Sequence, residues 1–148
     1  TPAFIWSPKL KRQAALADQF VSVKDIVPTL LDMAGVRHPL IEYKGREVYA
    51  PEGTSLQPYL NLKSSVVQRP GNMSGFELWG RKGLISGDWK IVNLPPPFGT
   101  GEWQLYHLKN DMGEVNDLAR VQPEKLEHML ALWQQYQTSR GVIPVMQR

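Results

Sequence analysis

Residues 74–108 read SGFELWGRKGLISGDWKIVNLPPPFGTGEWQLYHL, and the spacing of apolar residues along this stretch decides the fold class. Phe76-Glu77-Leu78-Trp79 forms one strand-like run and Gly83-Leu84-Ile85 a second. Ser86-Gly87-Asp88 supplies turn chemistry, since glycine takes positive φ freely and aspartate bonds its own backbone. Trp89-Lys90-Ile91-Val92 then alternates as a third strand. The stiff Pro95-Pro96-Pro97 loop leads to a fourth run, 102–108, with Trp103, Leu105 and His107 on one face and Gln104, Tyr106 and Leu108 on the other. Four short strands joined by turns predict an antiparallel meander, which needs one face covered to be stable.

The cover is predicted immediately downstream. Pro123 suits the first position of a helix and Glu124 its positive end. Leu126, Met129, Leu130, Trp133 and Tyr136 recur at helical spacing, and Gly141 ends the run. A helix over 123–140 is therefore expected to lie across the meander, giving an α+β unit. The tail VIPVMQR is expected to be loosely held.

Upstream, Val27, Leu30, Leu31 and Ala34 lie at i, i+3, i+4 and i+7, with Gly35 positioned to close a helix. Its start has two readings. Ser22 with Asp25 satisfies a capping box, but Pro28 would then fall past the first turn. Asp25 as N-cap puts Pro28 where no intrahelical donor is needed, and is preferred. Ala3-Phe4-Ile5-Trp6, between Pro2 and Pro8, reads as a buried strand. Residues 36–75 are loop-rich, with a helical turn allowed at 56–62. A boundary between two units is placed around Gln68–Gly71.

The 148 residues are 42% hydrophobic, enough for a packed core, and the chain contains no cysteine and carries a net charge of +3. Disulfides, thiolate-held zinc and a cysteine nucleophile are excluded. No apolar run is long enough for a membrane span. No basic stripe suits nucleic acid. His38, His107 and His128 are scattered among loop, strand and helix, and no HExxH, GxSxG or phosphate-loop motif surrounds them. The acidic run Asn110–Asp117 has its glycine in the wrong place for a calcium loop, so Asx turns are expected instead. Asn72-Met73-Ser74 matches a glycosylation acceptor by composition alone. Aromatics beside Arg81, Lys82 and Lys90 could stack on sugars or aryl groups and hold an anion. Packing under the helix is the competing role for the same residues.

Five segments in order carry a resemblance. VSVKDIVPTLLDMAGVRHP resembles the D-x-x-P-T-L-L-x-x-A-G-V segment of sulfatases, and GTSLQPYL their G-x-S-L-x-P-x-L. GFELWGRKGLISGDWKIV resembles W-E-x-x-G-x-x-A-x-R-x-G-D-W-K, and WQLYHLKNDMGEVNDLA resembles E-L-Y-D-L-x-x-D-P-x-E-x-x-N-L-A. TPAFIWSP resembles the strand that opens this region. Ile85, His107 and Met112 stand where the family usually has Arg, Asp and Pro. The chain thus resembles the C-terminal portion of a bacterial arylsulfatase of the alkaline-phosphatase superfamily.

That resemblance implies a parent with an α/β alkaline-phosphatase-like fold. Residues 1–69 would be the tail end of its catalytic domain, a strand and helix of the large sheet plus extended loops, and 70–148 its small C-terminal subdomain. It implies a sulfuric ester hydrolase whose nucleophile is a formylglycine made from Cys or Ser in C/S-x-P-x-R, assisted by a divalent cation, usually Ca²⁺. Neither that motif nor the cation's Asp and Asn ligands are in this sequence, so no cofactor is expected in the fragment. No catalytic or metal role is carried onto any residue, and the fragment alone is expected to be inactive. Trp79, Arg81 and Trp103 are the candidate substrate-binding residues. Expected partners are the N-terminal catalytic portion and a sulfate ester, with no nucleic acid and no membrane span; homo-oligomers are allowed. A periplasmic or secreted location is expected, with the cytoplasm as the alternative. Competing readings are the C-terminal part of a phosphodiesterase or phosphonate monoester hydrolase, a non-catalytic glycan-binding module, and a purely structural subdomain.

Overall fold

A computed structural model describes residues 3–13, 16–67 and 73–142. The predicted boundary at 68–71, Asn72 of the glycosylation triplet and the tail from 143 onward lie outside the described residues. The chain divides into two compact units, Thr1–Pro70 and Gly71–Arg148.

In the first unit a 3₁₀ turn, Val23–Asp25, leads into helix α1, Ile26–Ala34. Both readings of its start are realised, on successive turns. Ser22 and Asp25 form a reciprocal capping box around the 3₁₀ turn, while Asp25 occupies the N-cap position of α1 without a side-chain cap bond there. Gly35 closes α1 in the left-handed conformation at φ 67°. A two-residue ribbon follows, β1 (Glu42–Tyr43) against β2 (Arg46–Glu47), turned by Lys44 and Gly45 at positive φ. The short helix α2, Gln57–Leu60, falls within the turn expected at 56–62.

The buried centre of this unit is largely polar. Asp25 is inaccessible to solvent, and its carboxylate accepts the amides of Ser22 at 2.7 Å and Thr54 at 2.9 Å. Thr29 donates to the Asp25 carbonyl at 2.6 Å and accepts the Leu56 amide at 2.9 Å. Asp25 at the N-cap and Thr29 within α1 therefore pin the loop 53–56. By contrast Ile26, Val27 and Leu30 on α1 stand half exposed.

Residues 3–6, expected as a buried strand, lie in no strand, and Phe4 and Trp6 are 92% and 79% exposed. An extended run becomes a strand only when neighbouring backbone satisfies its amides and carbonyls. Among the described residues no strand pairs with this run.

The second unit holds the predicted meander. Strands β3 (Met73–Leu78), β4 (Arg81–Ser86), β5 (Trp89–Asn93) and β6 (Trp103–His107) pair antiparallel in sequence order. Helix α3, Pro123–Arg140, covers one face. Register puts Gly75, Leu84, Ile91 and Leu105 in one row across the sheet. Leu84, Ile91 and Leu105 are buried with Met129 and Trp133 of α3, each contributing about 1.5–3 kcal/mol through the apolar area withdrawn from water. At the end of that row the Tyr136 hydroxyl donates to the Gly75 carbonyl at 2.8 Å. A Cβ at Gly75 would sit 2.6 Å from the Tyr136 ring, so glycine admits the helix here.

The free edge of β6 is covered by the chain itself. Asp117 Oδ1 accepts the Leu105 amide at 3.0 Å, and the Leu118 amide donates to the Leu105 carbonyl at 2.8 Å. Both outward-facing groups of the edge residue are thereby satisfied. No helix among the described residues is long and apolar enough to cross a membrane.

Candidate functional site

The β3–β4 hairpin turns on two residues, with Leu78 opposite Arg81 in register. Trp79 and Gly80 both have positive φ, 53° and 80°. Two-residue hairpins favour this handedness because it matches strand twist, and they usually fill both positions with Asn, Asp or Gly. A tryptophan there costs about 1 kcal/mol in backbone strain. The turn is further fixed by the Gly80 amide, which donates to Glu77 Oε1 at 2.8 Å. Trp79 was expected at the end of a strand; the Trp79-Gly80 pair instead ends the strand at Leu78, leaving the indole 79% exposed.

The β5–β6 connection folds beside this turn. Phe98 donates its amide to the Pro95 carbonyl at 3.1 Å, Gly101 to Leu94 at 2.9 Å, and Asn93 Nδ2 to Gly101 at 2.5 Å. A Cβ on Gly80 would lie 3.8 Å from Pro95 Cγ, so turn and loop are in reach of each other. The Arg81 guanidinium lies over the Phe98 ring at 3.8 Å from its centroid, while Phe98 is itself 63% exposed. Stacking holds the guanidinium plane without consuming its in-plane donors.

Of the three candidate binding residues, Trp79 and Arg81 meet in one turn and Trp103 stands elsewhere. Trp103 shares the helix-covered face with Leu105, as the alternation along β6 implies, and its ring lies 5.6 Å from that of Trp133. Arg81 falls on the opposite face, one residue out of step with Leu84's row. Phe98 had no strand periodicity to single it out. The histidines play local parts. His38 Nδ1 accepts the Leu40 amide at 3.0 Å. His107 packs edge-on against Trp89 with ring centroids 4.5 Å apart, and its buried Nδ1 has no hydrogen-bond partner.

Of the Asx turns expected in the acidic run, Asp117 makes one to Ala119, while Asp111 closes a wider loop. Asp111 accepts the Val115 and Asn116 amides at 3.0 and 2.8 Å, which holds its carboxyl below its ordinary value of 3.8. Asp117 also accepts the Ala119 amide. Glu114 pairs with Lys90 at 2.5 Å. Beside them, burial and then the charges of Asp117, Glu114 and Asp111 push the Tyr106 phenol above its ordinary value of 10.0. Among the described residues no three His, Cys, Asp or Glu side chains are grouped so as to hold a metal ion.

A depressed carboxyl favours the folded loop while ionised. That stabilisation is present above the unfolded value near 4 and is lost as pH falls through the folded value. The protection factors of the Val115 and Asn116 amides, taken against the unstructured rate at the same pH, are expected to fall on acidification below about pH 4, and Asp111→Asn should remove that acid dependence. An exchange profile at these amides that tracks the rest of the sheet would show the carboxylate does not hold the loop.

No family model matches the chain. An uncharacterized sulfatase of Schizosaccharomyces pombe is 35% identical over 144 residues, 96% of this chain and 26% of that protein. Among solved structures, the "6S-sulf" protein of a glycosaminoglycan-metabolism locus in Bacteroides thetaiotaomicron shares the fold with TM-score 0.59 at 21% identity, covering 77% of this chain and 24% of its own. A protein solved with its substrate D-glucosamine-2-N,6-O-disulfate gives 0.58 at 21% identity, covering 84% of this chain and 25% of its own. The chain spans about a quarter of the length of each of these relatives. With five colinear blocks, a match along nearly its whole length and the meander-plus-helix fold in common, the chain is similar to a C-terminal portion of sulfatases.

Proposed function

We propose that this chain is the non-reacting flank of a sulfuric ester hydrolase: it packs on an N-terminal catalytic portion and walls one side of the substrate cleft. The observation that carries this reading is a sulfatase match along 96% of the chain that accounts for only 26% of the relative. The half-exposed Ile26, Val27 and Leu30 of α1 support it, because apolar helix faces of this kind are normally covered by further structure. On this reading residues 1–69 complete the catalytic domain. Trp79 and Arg81 face the substrate, and Trp103 contributes by holding the sheet under α3.

The parent reaction calls for a formylglycine and a divalent cation, and the residues here do not fit either group. The sequence has no cysteine and no S-x-P-x-R from which the aldehyde could be made. Asp25 and Asp111 are engaged with backbone amides and Glu114 with Lys90, and among the described residues no three metal-binding side chains are grouped. This chain's part is therefore binding and shape.

The test is to assay 4-nitrophenyl sulfate with the isolated chain and with the same chain joined to the portion encoded upstream. Turnover is expected only in the joined protein, and a phosphate diester should be hydrolysed at least tenfold more slowly than the sulfate, a difference of about 1.4 kcal/mol in barrier. Turnover by the isolated chain, or a preference for the diester, would overturn the reading.

A further inference from the structure

Arg12 is fixed in three ways by the short helix α2. Its amide donates to the Leu60 carbonyl at 2.9 Å, its Nε donates to the Tyr59 carbonyl at 3.1 Å, and its guanidinium carbon lies 3.8 Å from the centroid of the Tyr59 ring. The Nε bond sets the direction of the guanidinium fork and the stack sets its plane. Both terminal amino groups, Nη1 and Nη2, remain open, since among the described residues no acceptor takes them. The residue is partly buried.

No described carboxylate meets this fork. Lys9, Lys11 and Lys63 are exposed basic residues of the same unit and, like Arg12, make no ion pair among the described residues. Elsewhere the chain does pair its lysines, Lys24 with Glu52 and Lys90 with Glu114. Capping the carbonyl end of α2 is the ordinary role for a cation at this place. That role uses the charge, the amide and Nε, and a lysine could fill it. It does not call for a planar fork held rigid with its two end donors open.

We propose that the Arg12 fork is the docking point for an aspartate or glutamate side chain carried by the rest of the parent, outside these 148 residues. An end-on pair of parallel N–H donors matches the two oxygens of a carboxylate. A fork already held in plane loses less freedom on closing than a free side chain does. The occupant is protein rather than a small anion, because this chain matches along 96% of its length but accounts for only 26% of the relative. The same unit also leaves Ile26, Val27 and Leu30 of α1 half exposed. A unit short of both apolar cover and counter-ions fits a protein surface that brings both. The inference deepens the flank reading and rests on it for the partner: apolar contact joins the two portions, and the Arg12–carboxylate pair fixes their register.

The test is made on the joined protein carrying Arg12→Lys. A water-soluble carbodiimide couples a carboxylate to an amine in contact with it, forming an amide while the carbodiimide takes up the water as a urea. A guanidinium does not couple. Mass spectrometry is expected to find position 12 linked to one Asp or Glu outside the 148 residues, a link absent from the wild-type protein. Changing that carboxylate to its amide should lower the melting temperature by about 2–4 °C, and Arg12→Ala should do the same. The two changes together should cost within about 1 °C of the larger single loss, because both remove one contact.

A cap role without docking predicts losses that add in full, and that result would overturn the proposal. So would the lack of any link from position 12, or links confined to carboxylates of the 148 residues or of a second copy. Turnover of 4-nitrophenyl sulfate judges the cleft-wall reading apart from this. An active joined protein without the link loses the docking point alone, and inactivity of a linked protein counts against the cleft-wall reading alone.

Discussion

Trp133→Ala is expected to cost the second unit about 3–5 kcal/mol, the range for emptying a large aromatic site in a packed core. The residue is 4% exposed at the centre of the α3–sheet interface. Its ring lies 5.6 Å from Trp103 on the sheet side and is stacked 5.6 Å from Tyr136 on the helix. Collapse into the void is restricted because Leu84, Ile91 and Leu105 stand on strands fixed by ladders on both sides or, at β6, by Asp117 and Leu118. Losing the ring also loosens Tyr136, whose hydroxyl ties α3 to the Gly75 carbonyl. Domains of this size hold roughly 0.05–0.15 kcal/mol per residue, so the substitution removes a large share of the unit's stability. Denaturant unfolding followed by far-UV circular dichroism checks it, with Trp133→Phe expected to lose no more than about 1.5 kcal/mol. An alanine variant within about 1 kcal/mol of wild type would mean that α3 is held by something other than this core.

The same interface shows what could be read from the chain alone. Helical spacing of Leu126, Met129, Leu130, Trp133 and Tyr136 predicts α3 within the bounds seen, since each of these residues answers to a single periodic constraint. Alternation along β6 places Trp103 with Leu105, and that pairing already points Trp103 toward the helix. Trp79 was harder to read. An Asn-Gly pair would have announced the hairpin, whereas Trp-Gly extends the apolar run by one residue and hides the turn. Phe98 follows three prolines in a segment with no period, and only the return of the β5–β6 loop beside Arg81 gives it a role. The strand expected at 3–6 depends on partner backbone, which local pattern cannot supply. Asp25 was legible as a cap, but its second partner, Thr54, is 29 residues away and no local rule reaches it.

That distant contact underlies the other large effect. Gly53→Ala should release the loop 53–56 from α1 at a cost of about 3 kcal/mol, from overpacking together with the buried hydrogen bonds that are broken. A Cβ at position 53 would sit 1.9 Å from the Lys24 carbonyl oxygen, 2.3 Å from the Lys24 carbonyl carbon and 2.7 Å from the Asp25 amide nitrogen. All three are backbone atoms, so no side-chain rotation relieves the clash. The loop must withdraw, parting the Thr54 amide from Asp25 and the Leu56 amide from Thr29. Leu56 is the buried hydrophobic among the described residues of this unit, and it leaves its site with them. Asp25→Asn should cost less, about 1–2 kcal/mol, because the isosteric amide retains one acceptor oxygen for two donors. The two changes act on one contact, so the double variant should fall short of the sum by 0.5 kcal/mol or more, in the range for residues in contact. Hydrogen exchange gives the local readout. In Gly53→Ala the Thr54 and Leu56 amides should exchange much faster while those of Leu84 and Ile91 keep their protection. Protected Thr54 and Leu56 amides in that variant would show that α1 holds the loop through contacts other than Asp25 and Thr29.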